Sequence, residues 1–360
     1  MITHRLSRRD FLRATAAGAV GLAGAQLIGC GDGDGTPSPT ATAGVTPSAA
    51  TATPGAGALG WRQLAPAGTL PPARRDHSLV TDGERLYLFG GRSGGDAVGD
   101  TWVYDLAANE WEELNAPGPG ARFGHNSVWS TRGRMVVFGG QAGGEFLNDT
   151  WLFDPADGMW QEIPDFRGAP SQRYGAAAAL DPSGRLVVTH GFTNQGRFDD
   201  TWGFALLDNF WTEISPDGAR PIERCLVRAV WDAARERLIM FGGQTTATPF
   251  LGDTWALTGS EGWLELTPQQ SPSPRNFYAM AFDEVAGRAL LIGGQTEDGP
   301  ANDLWAFDAA SDSWARLTLD GESPSARAGH DAAFAAGSLY VVGGYDGSSE
   351  LNDLWVLSAT

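Results

Sequence analysis

The sequence predicts an all-β protein, a closed ring of six four-stranded sheets (a six-bladed β-propeller) sealed by an N-terminal outer strand. Three observations predict it. One short statement recurs six times at a nearly fixed period. Each copy breaks into four brief apolar runs separated by turn residues. The repeats also start and stop out of phase, with a spare outer strand in front and a missing one behind. A period of this length is the signature of units that bury their faces only by stacking on neighbours.

The statement is clearest at Leu86-Tyr87-Leu88-Phe89, followed by Gly90-Gly91, then Asp100-Thr101-Trp102 and a second tryptophan, Trp111. The glycine positions 90, 139, 190, 242, 293 and 343 step by 49, 51, 52, 51 and 50 residues. The third copy departs from the others, because His190 stands where they have their first glycine. That blade is expected to be distorted but present. In the first copy the four strands are His77–Val80, Leu86–Phe89, Thr101–Tyr104 and Trp111–Leu114. They are separated by Thr81-Asp82-Gly83, a glycine-rich loop from Arg92 to Gly99, and Leu106–Asn109. Short runs joined by such turns read as an antiparallel meander. The last copy ends after Leu354-Trp355-Val356-Leu357, whereas Trp61-Arg62-Gln63-Leu64 precedes the first copy as an unpaired outer strand. Pairing the two closes the ring and removes its free edges.

Ahead of the repeats the chain changes character. Residues 1–29 read as an export signal: Ser7-Arg8-Arg9-Asp10-Phe11-Leu12 resembles the twin-arginine motif. An apolar stretch from Ala14 to Ile28 follows, too short for a spanning helix. Leu27-Ile28-Gly29-Cys30 resembles a bacterial lipobox, which implies cleavage before Cys30 and lipidation of its sulfur. Residues 30–58 then form a tether rich in Gly, Ala, Ser, Thr and Pro that cannot bury enough apolar surface to order itself. As a flexible coil its reach is roughly 30 Å. The expected domains are therefore 1–29, 30–58 and 59–360. These segments imply a lipid-anchored, exported protein of the bacterial cell envelope, held to the membrane by its anchor.

The formal charge is −18 and every one of the 25 basic residues is arginine, which argues against a nucleic-acid partner. Two cysteines, Cys30 and Cys225, give no disulfide framework.

The double glycine, the Asp-Thr-Trp step and the second tryptophan resemble the kelch motif over residues 60–358. That resemblance implies a β-propeller similar to the galactose oxidase central domain, with the six blades counted from the repeats here. The glycines would permit a sharp strand exit and close blade approach. The tryptophans would fill the space between blades. The aspartate would cap the turn into the third strand.

Candidate site residues surround the expected channel mouth. Each inner strand is preceded by an arginine: Arg74, Arg122, Arg173, Arg224, Arg275 and Arg327. The loops after the glycine pairs begin with Arg92, Gln141, Phe192, Gln244, Gln295 and Tyr345. Guanidinium forks suit carboxylates, so the arginines read as an anion-preferring rim, or else as partners of loop carbonyls and acids of neighbouring blades. His77, His125 and His330 recur three residues after their arginines, which fits packing better than metal ligation. No metal or cofactor is assigned. Resemblance to galactose oxidase raises a copper-radical site, for which Cys225, Tyr174 and Tyr278 would be the candidates. Resemblance to exported sialic acid mutarotases raises an acid–base site, with Glu145, Glu223 or Asp298 as acids. The reading the sequence favours is non-catalytic: a monomeric module binding a protein or glycan at its mouth.

Overall fold

The computed structural model describes residues 59–164, 168–214, 218–259 and 262–359. The expected signal segment, Cys30 and the tether lie outside the described residues. Among those described, no helix is long and apolar enough to cross a membrane.

Six four-stranded antiparallel sheets follow one another along the chain, each meandering from an inner to an outer strand. Blade one pairs Ser78–Thr81, Arg85–Ser93, Asp96–Asp105 and Glu110–Leu114 in that order. Blade two begins at Asn126–Trp129, blade three at Ala177–Leu180, blade four at Arg228–Asp232 and blade five at Ala279–Asp283. Blade six takes Asp331–Ala335, Ser338–Tyr345 and Glu350–Ala359 from the end of the chain. Its outer strand is Leu59–Leu64, with Trp61 opposite Leu357. The ring is latched as the phase of the repeats requires.

Closure is visible in the core as well. Six apolar clusters occupy the six gaps between neighbouring blades, and the cluster joining Leu79, Leu88 and Trp102 to Ala333, Val342 and Leu354 fills the gap between the last blade and the first. The second tryptophan of a blade also reaches back to the blade before it. Trp160 Nε1 donates to Thr101 Oγ1 at 3.0 Å, and Trp314 Nε1 to Thr254 Oγ1 at 3.0 Å. The threonine of the Asp-Thr-Trp step is therefore a hydrogen-bond acceptor between blades.

Two local expectations are corrected. The stretch from Arg92 to Gly99 is not a loose loop: the strands run on, pairing Arg92 with Ala97 and Ser93 with Asp96 around Gly94-Gly95. Their φ values of 61° and 94° are those of a tight hairpin turn. The double glycine is instead a register shift between Phe89 and Gly91, a bulge that re-aims the hairpin arm. In blade three that arm separates into its own two-stranded sheet, Phe192–Thr193 with Gly196–Arg197, and the second strand stops at Thr189. His190 follows with φ 61°, a left-handed residue where the other blades place glycine. The blade is distorted and complete.

Candidate functional site

The arginine before each inner strand is a structural latch. Arg275 is fully buried. Its Nε donates to Ser273 O at 2.9 Å, its Nη1 to Gly293 O at 2.9 Å, and its fork grips Asp303 at 2.6 and 2.9 Å. Asp303 also accepts from Trp305 Nε1 at 2.7 Å. The same constellation recurs with Arg74–Asp100, Arg122–Asp149, Arg173–Asp200, Arg224–Asp253 and Arg327–Asp353, at 2.6–2.7 Å. The aspartate therefore serves its arginine and tryptophan, not a turn, and the arginine's partner belongs to its own blade.

Main-chain groups of the same arginines stitch blade to blade. Arg275 N–H donates to Leu251 O at 3.0 Å, and its carbonyl accepts from Gly243 N–H at 2.9 Å. At Gly243 φ is 95°, and an added Cβ would sit 2.8 Å from Cys225 O, so only glycine fits. The expectation that Arg74, Arg122, Arg173, Arg224, Arg275 and Arg327 offer free donors at the mouth is thus corrected. They are buried with their forks filled.

One residue further on, the chain does reach the mouth. Bridges pair Arg75 with Arg92, Phe123 with Gln141, Tyr174 with Phe192, Cys225 with Gln244, Asn276 with Gln295, and Ala328 with Tyr345. Arg92, Gln141, Phe192, Gln244, Gln295 and Tyr345 are all half-buried around this rim. The rim is chemically lopsided. From blade six to blade three, arginines stack on aromatic rings: Arg75 over Tyr345 at 4.9 Å, Arg92 over Phe123 at 4.6 Å, and Arg197 over Phe192 at 5.7 Å. Phe123, Tyr174, Phe192 and Phe146 continue the arc edge to face. Across blades four and five the rim is amide, with Asn276 Nδ2 donating to Gln244 Oε1 at 2.9 Å.

Inside this rim each blade gives one left-handed residue to a ring about the axis: Asp76, Gly124, Gly175, Leu226, Phe277 and Gly329, with φ between 51° and 67°. Their amides donate in turn, Asp76 to Gly329 O at 2.7 Å, Gly124 to Asp76 O at 2.9 Å and Gly175 to Gly124 O at 2.9 Å. These residues line an axial cavity of about 30 Å³, enough for one or two waters, together with His125, Tyr174 and Arg228. The Tyr174 ring lies across Gly124, where any Cβ would overlap it.

Two groups in this cavity, missed by the sequence reading, carry its chemistry. Asp76 is 6% exposed and its Oδ2 has no hydrogen-bond partner. Burial pushes its pKa up to about 6, against the lowering charges of Arg75, Arg92 and Arg228. Arg228 extends from blade four into the channel, its Nη2 3.9 Å from Asp331 Oδ1 of blade six. The Tyr174 hydroxyl is buried and equally unpartnered, and burial followed by the charge of Asp76 holds its pKa well above the usual phenol value. The available signal was deviation from the repeat: aspartate where the neighbouring blades have Gly124 and Gly329, and arginine where they have Ala177 and Ala279.

The other candidates disperse. His77, His125 and His330 each pack against the first glycine of the preceding blade, with an added Cβ at Gly343, Gly90 or Gly293 falling 2.9–3.2 Å from the ring. Burial holds His125 and His330 at about 3. His125 Nε2 meets Ser78 Oγ at 2.9 Å, and His330 Nε2 meets Ile292 O at 3.1 Å. Cys225 is a buried free thiol, its pKa raised by burial. The Tyr278 hydroxyl is spent on the Phe241 carbonyl. Glu145, Glu223 and Asp298 are exposed and do not line the axial cavity.

The fold and this site define a six-bladed β-propeller with an arginine-latched ring and an asymmetric axial mouth. The KLHDC2/KLHL20/DRC7 Kelch-repeats domain model matches residues 56–234 and 208–360, and the chain belongs to the Kelch-repeat family. A putative adagio-like protein 2 of Oryza sativa subsp. japonica is 29% identical over 338 residues, covering 84% of this chain and 52% of that protein. Kelch-like protein 25 of Rattus norvegicus is 25% identical over 296 residues, covering 81% of this chain and 40% of that one. The chain thus spans about half the length, or less, of these relatives.

Proposed function

We propose that the protein is an exported, lipid-anchored Kelch propeller that binds a protein partner across its axial mouth, as a monomer. The observation that carries this reading is the arc of arginines and aromatic rings from Tyr345 through Arg75, Arg92, Phe123 and Tyr174 to Phe192. Binding hot spots draw on these residue types, because rigid rings and planar guanidiniums bury much area for little lost freedom. Arg92 Nε is buried without a hydrogen-bond partner, and Arg75 Nε has only a 3.5 Å ion-pair contact with Glu350. Export and anchoring are supported by Arg8-Arg9 and Cys30 in their expected order and spacing.

The test crosslinks full-length protein in its own envelope and compares captured species between wild type, Phe123→Ala with Phe192→Ala, and the outer-strand variant Leu264→Ser. A protein partner lost only from the mouth double variant supports the reading. Capture of a glycan there replaces the partner class, and equal capture by all three removes the mouth. Cys30→Ser is expected to abolish labelling by a fatty-acid analogue and to release the protein from the membrane fraction.

A further inference from the structure

Each blade joins its second and third strands in a hairpin at the mouth, so its other two turns fall at the far end of the ring, on the back face. That face carries four of the seven large apolar side chains exposed among the described residues: Met159, Leu207, Phe210 and Val285. Met159 and Phe210 open the outer strands of blades two and three, and Leu207 stands in the turn before Phe210. Blades one, four and five have Glu110, Gly262 and Ser313 at the position of Met159 and Phe210. Where blade three has Leu207, the other copies have alanine or glycine at 107, 156, 259 and 310. These apolar tips are departures from the repeat, and blade packing does not call for them: Met159 is 59% exposed and Leu207 64%. Val285, in the first turn of blade five, is 96% exposed. Charges beside the tips of blades two and three are cancelled in place, Arg134 by Asp154 at 2.8 Å and Arg185 by Asp181 at 2.9 Å. The chain also enters the ring on this side. Leu59 pairs with Ala359, the end of its strand farthest from the hairpin, so the segment that follows Cys30 joins the head at the back face.

We propose that the back face rests on a lipid surface, with Met159, Leu207, Phe210 and Val285 entering the headgroup layer. This rests on the lipid-anchor reading for bringing a bilayer within reach, roughly 30 Å of tether, and on the tips for adhesion. Exposed apolar groups gathered on one side of a protein mark a contact surface. Tips on separate turns of blades two, three and five are spread points, which suit a plane that yields locally better than a single peptide. Adhesion of this kind grows with the apolar area buried and with attraction to the headgroups. The formal charge of −18 works against anionic lipid, so the contact is apolar and favours zwitterionic headgroups. The mouth, at the opposite end of the ring, is then turned away from the membrane and open to its partner.

Full-length protein is reconstituted into phosphatidylcholine vesicles with a fluorophore on one introduced thiol. Ala156→Cys places it in a back turn of blade two, and Asn194→Cys in the front hairpin of blade three, both at exposed positions. Cys225 is buried and stays unlabelled. Nitroxide-labelled lipid is expected to quench the back label at least about threefold more than the front one. Met159→Ser, Leu207→Ser and Phe210→Ser together should abolish that difference while the melting temperature stays within about 2 °C, since the three side chains are exposed. Adding phosphatidylglycerol to the vesicles should lower the quenching of the back label. Equal quenching of both labels, quenching that the triple variant leaves unchanged, or a rise with phosphatidylglycerol overturns the proposal. Capture of a protein through Ala156→Cys while the back label stays unquenched overturns it too, in favour of a protein on this face. The anchor is read separately, by fatty-acid labelling at Cys30. If that fails, flotation of wild type and triple variant with added vesicles reads the face alone: binding at least about tenfold weaker in the triple variant supports the proposal, and equal binding overturns it.

Discussion

Replacing Arg275 by alanine separates a structural arginine from a rim ligand. Arg275 is fully buried and its removal leaves Asp303, 16% exposed at the side chain, with only the Trp305 N–H. The Gly293 carbonyl loses its side-chain donor as well. Burial alone would raise the Asp303 pKa, but hydrogen bonds from Arg275 and Trp305 and the charge of Arg275 outweigh it and hold the carboxyl below its usual value. Stripping one partner from a buried pair of this kind costs about 3–5 kcal/mol. With ~2.1 cal/mol/K per residue over about 300 cooperative residues, that loss lowers the melting temperature by roughly 5–8 °C. Differential scanning calorimetry on Arg275→Ala and Arg75→Ala makes the comparison within one assay. Arg75 is half-buried and stacks at the rim, so its variant is expected to melt within about 2 °C of wild type. Equal, small shifts for both variants would refute the latch and return Arg275 to the mouth.

Gly140→Ala and Gly144→Ala share a left-handed φ, 96° and 93°, but only at Gly140 would the Cβ meet backbone and His125 at 2.9 Å. Both should lose about 1 kcal/mol to backbone strain; in urea melts Gly140→Ala should lose at least twice as much as Gly144→Ala. Deleting residues 59–64 bares the outer edge of the strand from Leu354 to Ala359, so the shortened protein is expected to lose its cooperative melt, and an unchanged melt would mean the ring is not latched there. Stability should fall on acidification from pH 7 to 5. His125, His190 and His330 are held near 3 by burial but titrate near 6.5 when unfolded, so the unfolded chain binds more protons in this window, at about 2 kcal/mol each by pH 5. Asp76 works the other way: its folded pKa of about 6 lies above the unfolded value, and protonation returns about 1–2 kcal/mol over the same range. Urea unfolding at both pH values should therefore show a net loss, and a rise in stability at pH 5 would contradict the histidine burial.

The ring, its count and its closure were legible because they are written periodically. Trp61 could be matched to Trp111, and the missing last strand to the spare first one, without any knowledge of contacts. Roles within the repeat were harder. Arg275 and Asp303 recur with the same period, yet the sequence does not say that residues 28 apart meet across one blade, and an arginine near a channel invites a ligand. The tight hairpin at Gly94-Gly95 was hidden because a glycine-rich run looks the same whether it is a loop or a two-residue turn between extended strands. The axial groups were illegible for the opposite reason. Asp76 and Arg228 appear once each, so averaging over copies discards them.

That contrast bears on how a ring of this kind acquires specificity. Each blade needs its latch, its bulge and its tryptophans, and these positions are consumed by holding neighbours together. The ring of left-handed residues about the axis is under a weaker demand, because its contribution to closure is made by the main chain. Three of its six members are glycine, and the other three are Asp76, Leu226 and Phe277, which share one backbone conformation and no side-chain chemistry. Side chains at Asp76, Leu226 and Phe277 can change without unstitching the blades, provided they tolerate φ near 60°, whereas Gly124 has no room for one beneath the Tyr174 ring. The positions free to carry chemistry are therefore the ones facing the axis. In this chain two charges that break the repeat, Asp76 and Arg228, line that cavity. A substitution at Leu226 to asparagine should consequently alter ligand preference while leaving the melting temperature nearly unchanged, whereas any change at the neighbouring Arg224 should do the reverse.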